Sequence, residues 1–277
     1  MTAPARPAAS ATRALAALYA PPPQQPLCAA LSALEEEIGA SLRPGIDHQV
    51  AHARLAWWRE ECARCAASKP AHPLTRDIAA AFAGRDPSIL EGLTGLVDVA
   101  QWDLAAATFA TRGELTGYCE RWAGAMVVPL AQLGAPEVDA AIPRALGAKL
   151  RESELLASLA LEARAGRLRL PLDELGAAGV DAASFPPPPW PPALAALLAA
   201  RHRQLRAELS AGVGALPASA QPALRALLVW TVLAHLGSRR AERRLPAALP
   251  AGDHHAPLDG WRAWRAARHA DSGRLAL

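Results

Sequence analysis

The chain has 277 residues, 52% of them hydrophobic, enough to bury the core of one large domain or two ordinary ones. A net charge of +3, carried almost wholly by arginines interleaved with glutamates, leaves no massed basic segment, so nucleic acid is not an expected partner. Four cysteines (Cys28, Cys62, Cys65 and Cys119) do not make a disulfide scaffold, the N-terminus lacks a continuous apolar h-region of signal-peptide type, and no apolar run reaches the length of a membrane span, so a cytoplasmic setting is expected.

Alanine and leucine dominate while β-branched residues are sparse, which predicts an all-α fold because alanine loses no side-chain freedom in a helix. Residues 1–12 read as a flexible tail, and the rest, 13–277, as one helical domain. Pro21 to Pro23 divide a short first helix from a longer one over Leu27 to Leu42. In the next segment Leu55, Trp58, Cys62 and Cys65 recur at steps of three and four and share a face, which makes Trp58 the core tryptophan. Trp57 falls on another stripe with Arg54, Glu61 and Arg64. Two readings stand for it: a half-exposed ring under arginine stems, or the wall of a polar-mouthed cavity or partner surface.

Further helical segments run through "PLTRDIAAAF", "SILEGLTGLVDVAQWDLAA", "TRGELTGYCERWAGAMVVPLAQLG" and "DAAIPRALGAKLRESELLASLALEARAG". "RLRLPLDELGAAGVDAASF" has the pattern of a connecting loop with a short helix, and the proline-rich stretch at 185–192 that of an extended connector. Two or three helices follow, ending in "LDGWRAWRAARHADSGRL". The pair Cys62 and Cys65 lacks the second ligand pair a structural zinc needs, and Asp253 to His255 read as exposed loop. Phosphate-loop, dinucleotide and hydrolase motifs are absent.

"ELTGYCERWAGAMV" and "LGAKLRESELLASLALEARAGRLRLP" resemble the squalene and phytoene synthase family, head-to-head prenyl transferases of the all-helical isoprenoid-synthase fold. The resemblance rests on Tyr118, Cys119, Ala123 and Gly124, then on Leu146, Gly147, Gly166, Arg167, Leu170 and Pro171. "RLAWWREE" is similar to the Trp-Trp-Arg element of the bacterial branch, "WRAWRAAR" to its C-terminal end, and Asp103 in "QWDL" also fits. The resemblance implies a single helical bundle around a central cavity, with Mg²⁺ held by two aspartate-rich motifs to ionise an allylic diphosphate.

Those carboxylates are missing. An ungapped alignment places Ser158 and Glu162 at the two aspartates of the second motif, Arg151 and Glu154 at its glutamine and asparagine, and Ala157 at its arginine. Positions 151, 154, 158 and 162 still form one inward stripe. At the first motif stand Gly39, Ala40 and Arg43, while Glu35 to Glu37 are expected on other faces, Glu37 matching a feature of the non-catalytic bacterial branch. An arginine at a ligand position repels metal.

The resemblance therefore implies a degenerate, non-catalytic member similar to complex I assembly factors. Such a member would bind an isoprenoid or lipid, or dock a protein partner at the membrane surface, with no cofactor and no metal ligands, peripheral to the inner membrane. The alternative is an active prenyltransferase with a rearranged Mg²⁺ site drawing on Glu154, Asp98 and Asp103. The cavity or ligand-binding set is Tyr118, Arg151, Glu154, Ser158, Glu162, Asp103 and Arg167, with Tyr118 the sole catalytic candidate. Arg54, Trp57 and Glu61 form the candidate partner or lipid surface.

Overall fold

The structure, a computed structural model, describes residues 11–247 and 257–277. Among these residues there are twelve α-helices and no strand: α1 Ala11–Ala17, α2 Gln25–Gly39, α3 His48–Ala66, α4 Pro73–Ala81, α5 Thr94–Leu104, α6 Arg112–Met126, α7 Val128–Gly134, α8 Ala141–Arg164, α9 Leu172–Ala177, α10 Pro192–Gly214, α11 Arg225–Arg244 and α12 Asp259–Asp271. Residues 1–10 and the Asp253 to His255 stretch lie outside the described residues, and Ala11 and Thr12 already belong to α1.

Local chemistry sets the helix ends. Asp47 caps α3 by accepting from the amides of Gln49 and Val50, and Thr111 caps α6 while Glu114 reaches back to the Ala110 amide at 2.6 Å. The end of α8 is a Schellman turn: the Arg167 amide donates to Glu162 O at 2.9 Å, the Gly166 amide donates to Ala163 O at 3.0 Å, and Gly166 takes φ +78°. That left-handed conformation is why glycine stands there.

The helix pairs α6 with α8, α10 with α11, α11 with α12 and α3 with α5 enclose one main core, and α1 lies across α11. The close approach of α6 to α8 depends on Gly147, where a Cβ would come within 3.0 Å of Val127 and Ala123 side-chain atoms. A smaller cluster of Leu159, Leu168, Leu170, Leu175, Trp190, Leu194 and Leu198 sits under the 167–198 segment. Trp190 pins the proline-rich connector, being buried and donating its amide to Pro246 O at 2.7 Å.

Leu55, Trp58, Cys62 and Cys65 are all buried in the core, the face read from their spacing. Burial pushes the Cys62 thiol up to about 12 and the Cys65 thiol up to about 11. No helix among the described residues is long and apolar enough to cross a membrane.

Candidate functional site

The inward stripe of α8 opens onto a charged interior. Arg151 donates to Glu154 at 2.9 Å, one turn along the helix, and its guanidinium lies 5.2 Å from the centre of the Trp122 ring. Burial works against the Arg151 charge, but Tyr118, Glu154 and Glu35 outweigh it and raise its pKa well above the ordinary value. Ser158 bonds back to the carbonyls of Glu154 and Leu155, so its hydroxyl is spent on its own helix.

Two residues from the N-terminal helices complete this half. Arg13 on α1 pairs with Glu35 at 2.7 Å and lies 3.9 Å from Glu154. Its guanidinium also sits 5.2 Å from the Trp122 ring and 5.9 Å from that of Trp230. Glu35 accepts in addition from the Trp122 indole N–H at 2.9 Å. Glu35 was expected on another face of α2, and the structure turns it inward. It stands four residues before Gly39 and so shares that residue's face.

The other half is built where α5, α6 and the end of α8 meet. Tyr118 is buried, and its hydroxyl donates to Asp103 at 3.1 Å. Arg169 donates to the same carboxylate at 2.8 Å and lies 3.6 Å from Glu162. The Schellman turn throws Arg167 back onto Glu162 at 2.7 Å. Burial pushes the Glu162 carboxyl up, yet Arg167 and Arg169 overcome it and the net shift is downward.

Four carboxylates (Glu35, Asp103, Glu154, Glu162) thus face four guanidinium groups (Arg13, Arg151, Arg167, Arg169). Among the described residues no group of three or more His, Cys, Asp or Glu side chains gathers as a metal ion would require. Beside this charged centre lies an apolar cleft of about 80 Å³ between α1, α2, α6 and α11, walled by Leu31, Met126, Leu227, Trp122 and Trp230, with Arg13 also on its lining.

Comparison with known proteins gives this geometry its setting. The squalene/phytoene synthase family profile matches residues 6–262. The chain belongs to the squalene/phytoene synthase family. A crystal structure of a dehydrosqualene synthase in complex with ligand superposes with a TM-score of 0.76 at 16% identity, covering 94% of this chain and 90% of that one. The squalene synthase HpnC from Alicyclobacillus acidocaldarius superposes with a TM-score of 0.66 at 15% identity, covering 85% of this chain and 89% of that one. At such identities the likeness is one of fold. No protein of curated function matches the sequence closely enough to count as a relative.

Within this family fold, the residues chosen from sequence separate into three groups. Tyr118, Asp103, Arg151, Glu154, Glu162 and Arg167 converge on the interior, and Ser158 lies on the same stripe without joining the network. Asp98 does not join it, since it pairs with Arg59 at 2.5 Å in a partly exposed position. Arg54 and Trp57 are exposed, Trp57 with its ring edge-on to Trp58 at 4.9 Å and with Arg64 5.9 Å from its centre.

Glu61 leaves the proposed surface set, because it is fully buried. Its carboxylate accepts from the amides of Ala71 and His72 at 2.8 Å each, from the Thr75 hydroxyl and from Arg64, tying α3 to the start of α4. Burial raises the Glu61 carboxyl, but those donors prevail and hold it at about 2.

Three residues of the interior escaped the sequence reading: Arg13, Trp122 and Arg169. Arg169 stands between Leu168 and Leu170 in the non-helical stretch after α8, and all three are buried, so no alternation of apolar and polar residues marks the inward charge. Arg13 stands at the edge of what read as tail.

Proposed function

We propose that this chain is a non-catalytic member of the squalene/phytoene synthase family, whose fold binds an isoprenoid or other lipid chain in the apolar cleft beside α1. The observation that supports it is Arg151, which stands on the inward stripe of α8 and is locked between Glu154 and Trp122. Magnesium ions bridging a diphosphate need several carboxylates free to turn toward them. Here the four interior carboxylates each lie within ion-pair distance of an arginine, and removing them to serve a cation would leave buried guanidinium groups uncompensated. The residues present therefore do not fit a metal cluster.

The cleft supports the binding half of the reading. Its walls are mainly tryptophan, leucine, methionine and alanine, with Arg13, Gln24 and Ser32 among them, a largely apolar lining of the kind a hydrocarbon chain prefers. At about 80 Å³ it admits the end of a chain as it stands, and a longer ligand must displace α1, the short helix that forms one wall.

The test is a thermal-shift titration with farnesol and farnesyl diphosphate, in the absence and presence of Mg²⁺, on the wild type and on Leu227→Trp, which fills the cleft. The reading predicts stabilisation by both ligands without Mg²⁺, lost in the variant. Equal melting temperatures with and without ligand would overturn the binding half and favour a purely protein-docking role.

A further inference from the structure

The outer face of α12 gathers three of the exposed large apolar side chains found among the described residues. Trp261 and Trp264 are each 54% exposed and Leu258 at the helix start 58%. On the same outward side stand Arg265, Arg268 and His269, all exposed, and the Arg265 guanidinium lies 5.5 Å from the Trp261 ring. The exposed carboxylate bordering that side, Asp271, is already paired with an arginine of α11. The two acidic residues of the helix are spent elsewhere: Asp259 is buried and bonded to Arg240 and Arg262, and Asp271 pairs with Arg225 at 2.7 Å.

This face is held rigidly. Ala263, Ala266, Ala267 and Ala270 form a buried stripe, and α12 packs on α11. Beyond the helix end, the Leu275 amide and carbonyl both bond Gln221. With the inner stripe closed by alanines and both ends tied by ion pairs, the two indoles cannot roll inward to find cover.

We propose that this face docks the protein onto an anionic lipid bilayer. Indoles suit the headgroup level because one edge is apolar and the N–H can stay wet, and arginine stems follow apolar surface while the guanidinium reaches lipid phosphate. Each tryptophan has an arginine one turn further on (Trp261 with Arg265, Trp264 with Arg268), so apolar and cationic groups are interleaved at one depth, as an interfacial helix needs. A second copy of the chain is a poorer occupant, since a two-fold contact through this face would set arginines against arginines. The inference stands independently of whether the interior cleft holds a ligand.

The test is flotation of the full chain with phosphatidylcholine vesicles, with and without phosphatidylglycerol, for the wild type, for Trp261→Ser/Trp264→Ser and for Arg265→Glu/Arg268→Glu. All four positions are exposed, and a circular-dichroism melt for each variant confirms folding. Wild type should float with the anionic vesicles and detach as salt rises. The tryptophan variant should lose flotation, and the charge-reversed variant should bind about thirtyfold more weakly or worse. Equal binding to neutral and anionic vesicles, or undiminished binding by both variants, would refute the proposal. So would a concentration-dependent dimer in size exclusion that Trp261→Ser/Trp264→Ser abolishes, since it would give the face to a second copy.

Discussion

Arg169 and Asp103, sixty-six residues apart in the chain, meet in a buried ion pair of 2.8 Å, and the Tyr118 hydroxyl donates to the same carboxylate. The pair fixes the non-helical stretch after α8 against α5 and places a guanidinium beside the inward stripe. With Arg13, Arg151 and Arg167 it makes the interior of this family fold a set of matched charges.

A matched interior punishes removal of one partner. Asp103→Asn leaves Arg169 with Glu162 at 3.6 Å as its remaining ion-pair contact and should lower stability by about 3 kcal/mol. Adding Arg169→Met to Asp103→Asn should recover much of that loss, because the uncompensated charge goes with it. Denaturant unfolding of the two single variants and the double variant measures the coupling. Simple additivity would show that the pair contributes nothing as a pair.

Gly147 is a test of packing. Its replacement by alanine gains about 1 kcal/mol of helix propensity, but the new methyl meets Val127 and Ala123 atoms within 3.0 Å, and such overpacking costs about 1–3 kcal/mol. Gly147→Ala should therefore lower the melting temperature. Gly176→Ala in α9, where nothing stands within 4 Å of a Cβ, should leave it unchanged or raised.

Acid should lower the stability of the protein over two successive pH ranges. Burial lowers His202 from 6.5 to about 4, with Arg206 assisting, and Glu61 is held at about 2 against 4.5. Both folded values lie below the unfolded ones, so the unfolded chain binds more protons and stability falls as pH falls. The His202 contribution, complete above pH 6.5, is lost toward pH 4, and the Glu61 contribution, complete above pH 4.5, is lost toward pH 2. Urea titrations at pH 7.5, 4 and 2.5 should flatten between pH 7.5 and 4 in His202→Leu and keep their decline below pH 4. A Glu61→Gln variant should show the reverse.

The helical class and the core face of α3 were legible because periodicity reports which residues of one helix share a side. Trp58 with Cys62 and Cys65 was such a case. Periodicity is silent on what a neighbouring element lays over the remaining sides. Glu61 belongs to the stripe of Trp57, yet the start of α4 delivers three donors to it and closes it from water.

The candidate site was legible on α8, where the stripe 151, 154, 158 and 162 could be counted out, and through Asp103 and Tyr118. It was not legible at Arg13 and Arg169, because each reaches the centre through a tertiary arrangement that its own segment does not encode, whereas Glu35 could have been counted onto the face of Gly39. Gly166 shows the middle case: a helix-ending glycine is readable, but that its turn folds Arg167 onto Glu162 emerges only with the geometry.

The most direct test of the account incubates the pure protein with farnesyl diphosphate, geranylgeranyl diphosphate and Mg²⁺, with and without NADPH, and analyses the products by mass spectrometry. The matched interior predicts intact substrates and no thirty- or forty-carbon product in any arm. Turnover of either diphosphate would contradict it, and would mean that Glu35, Asp103, Glu154 and Glu162 exchange their arginines for magnesium when substrate arrives.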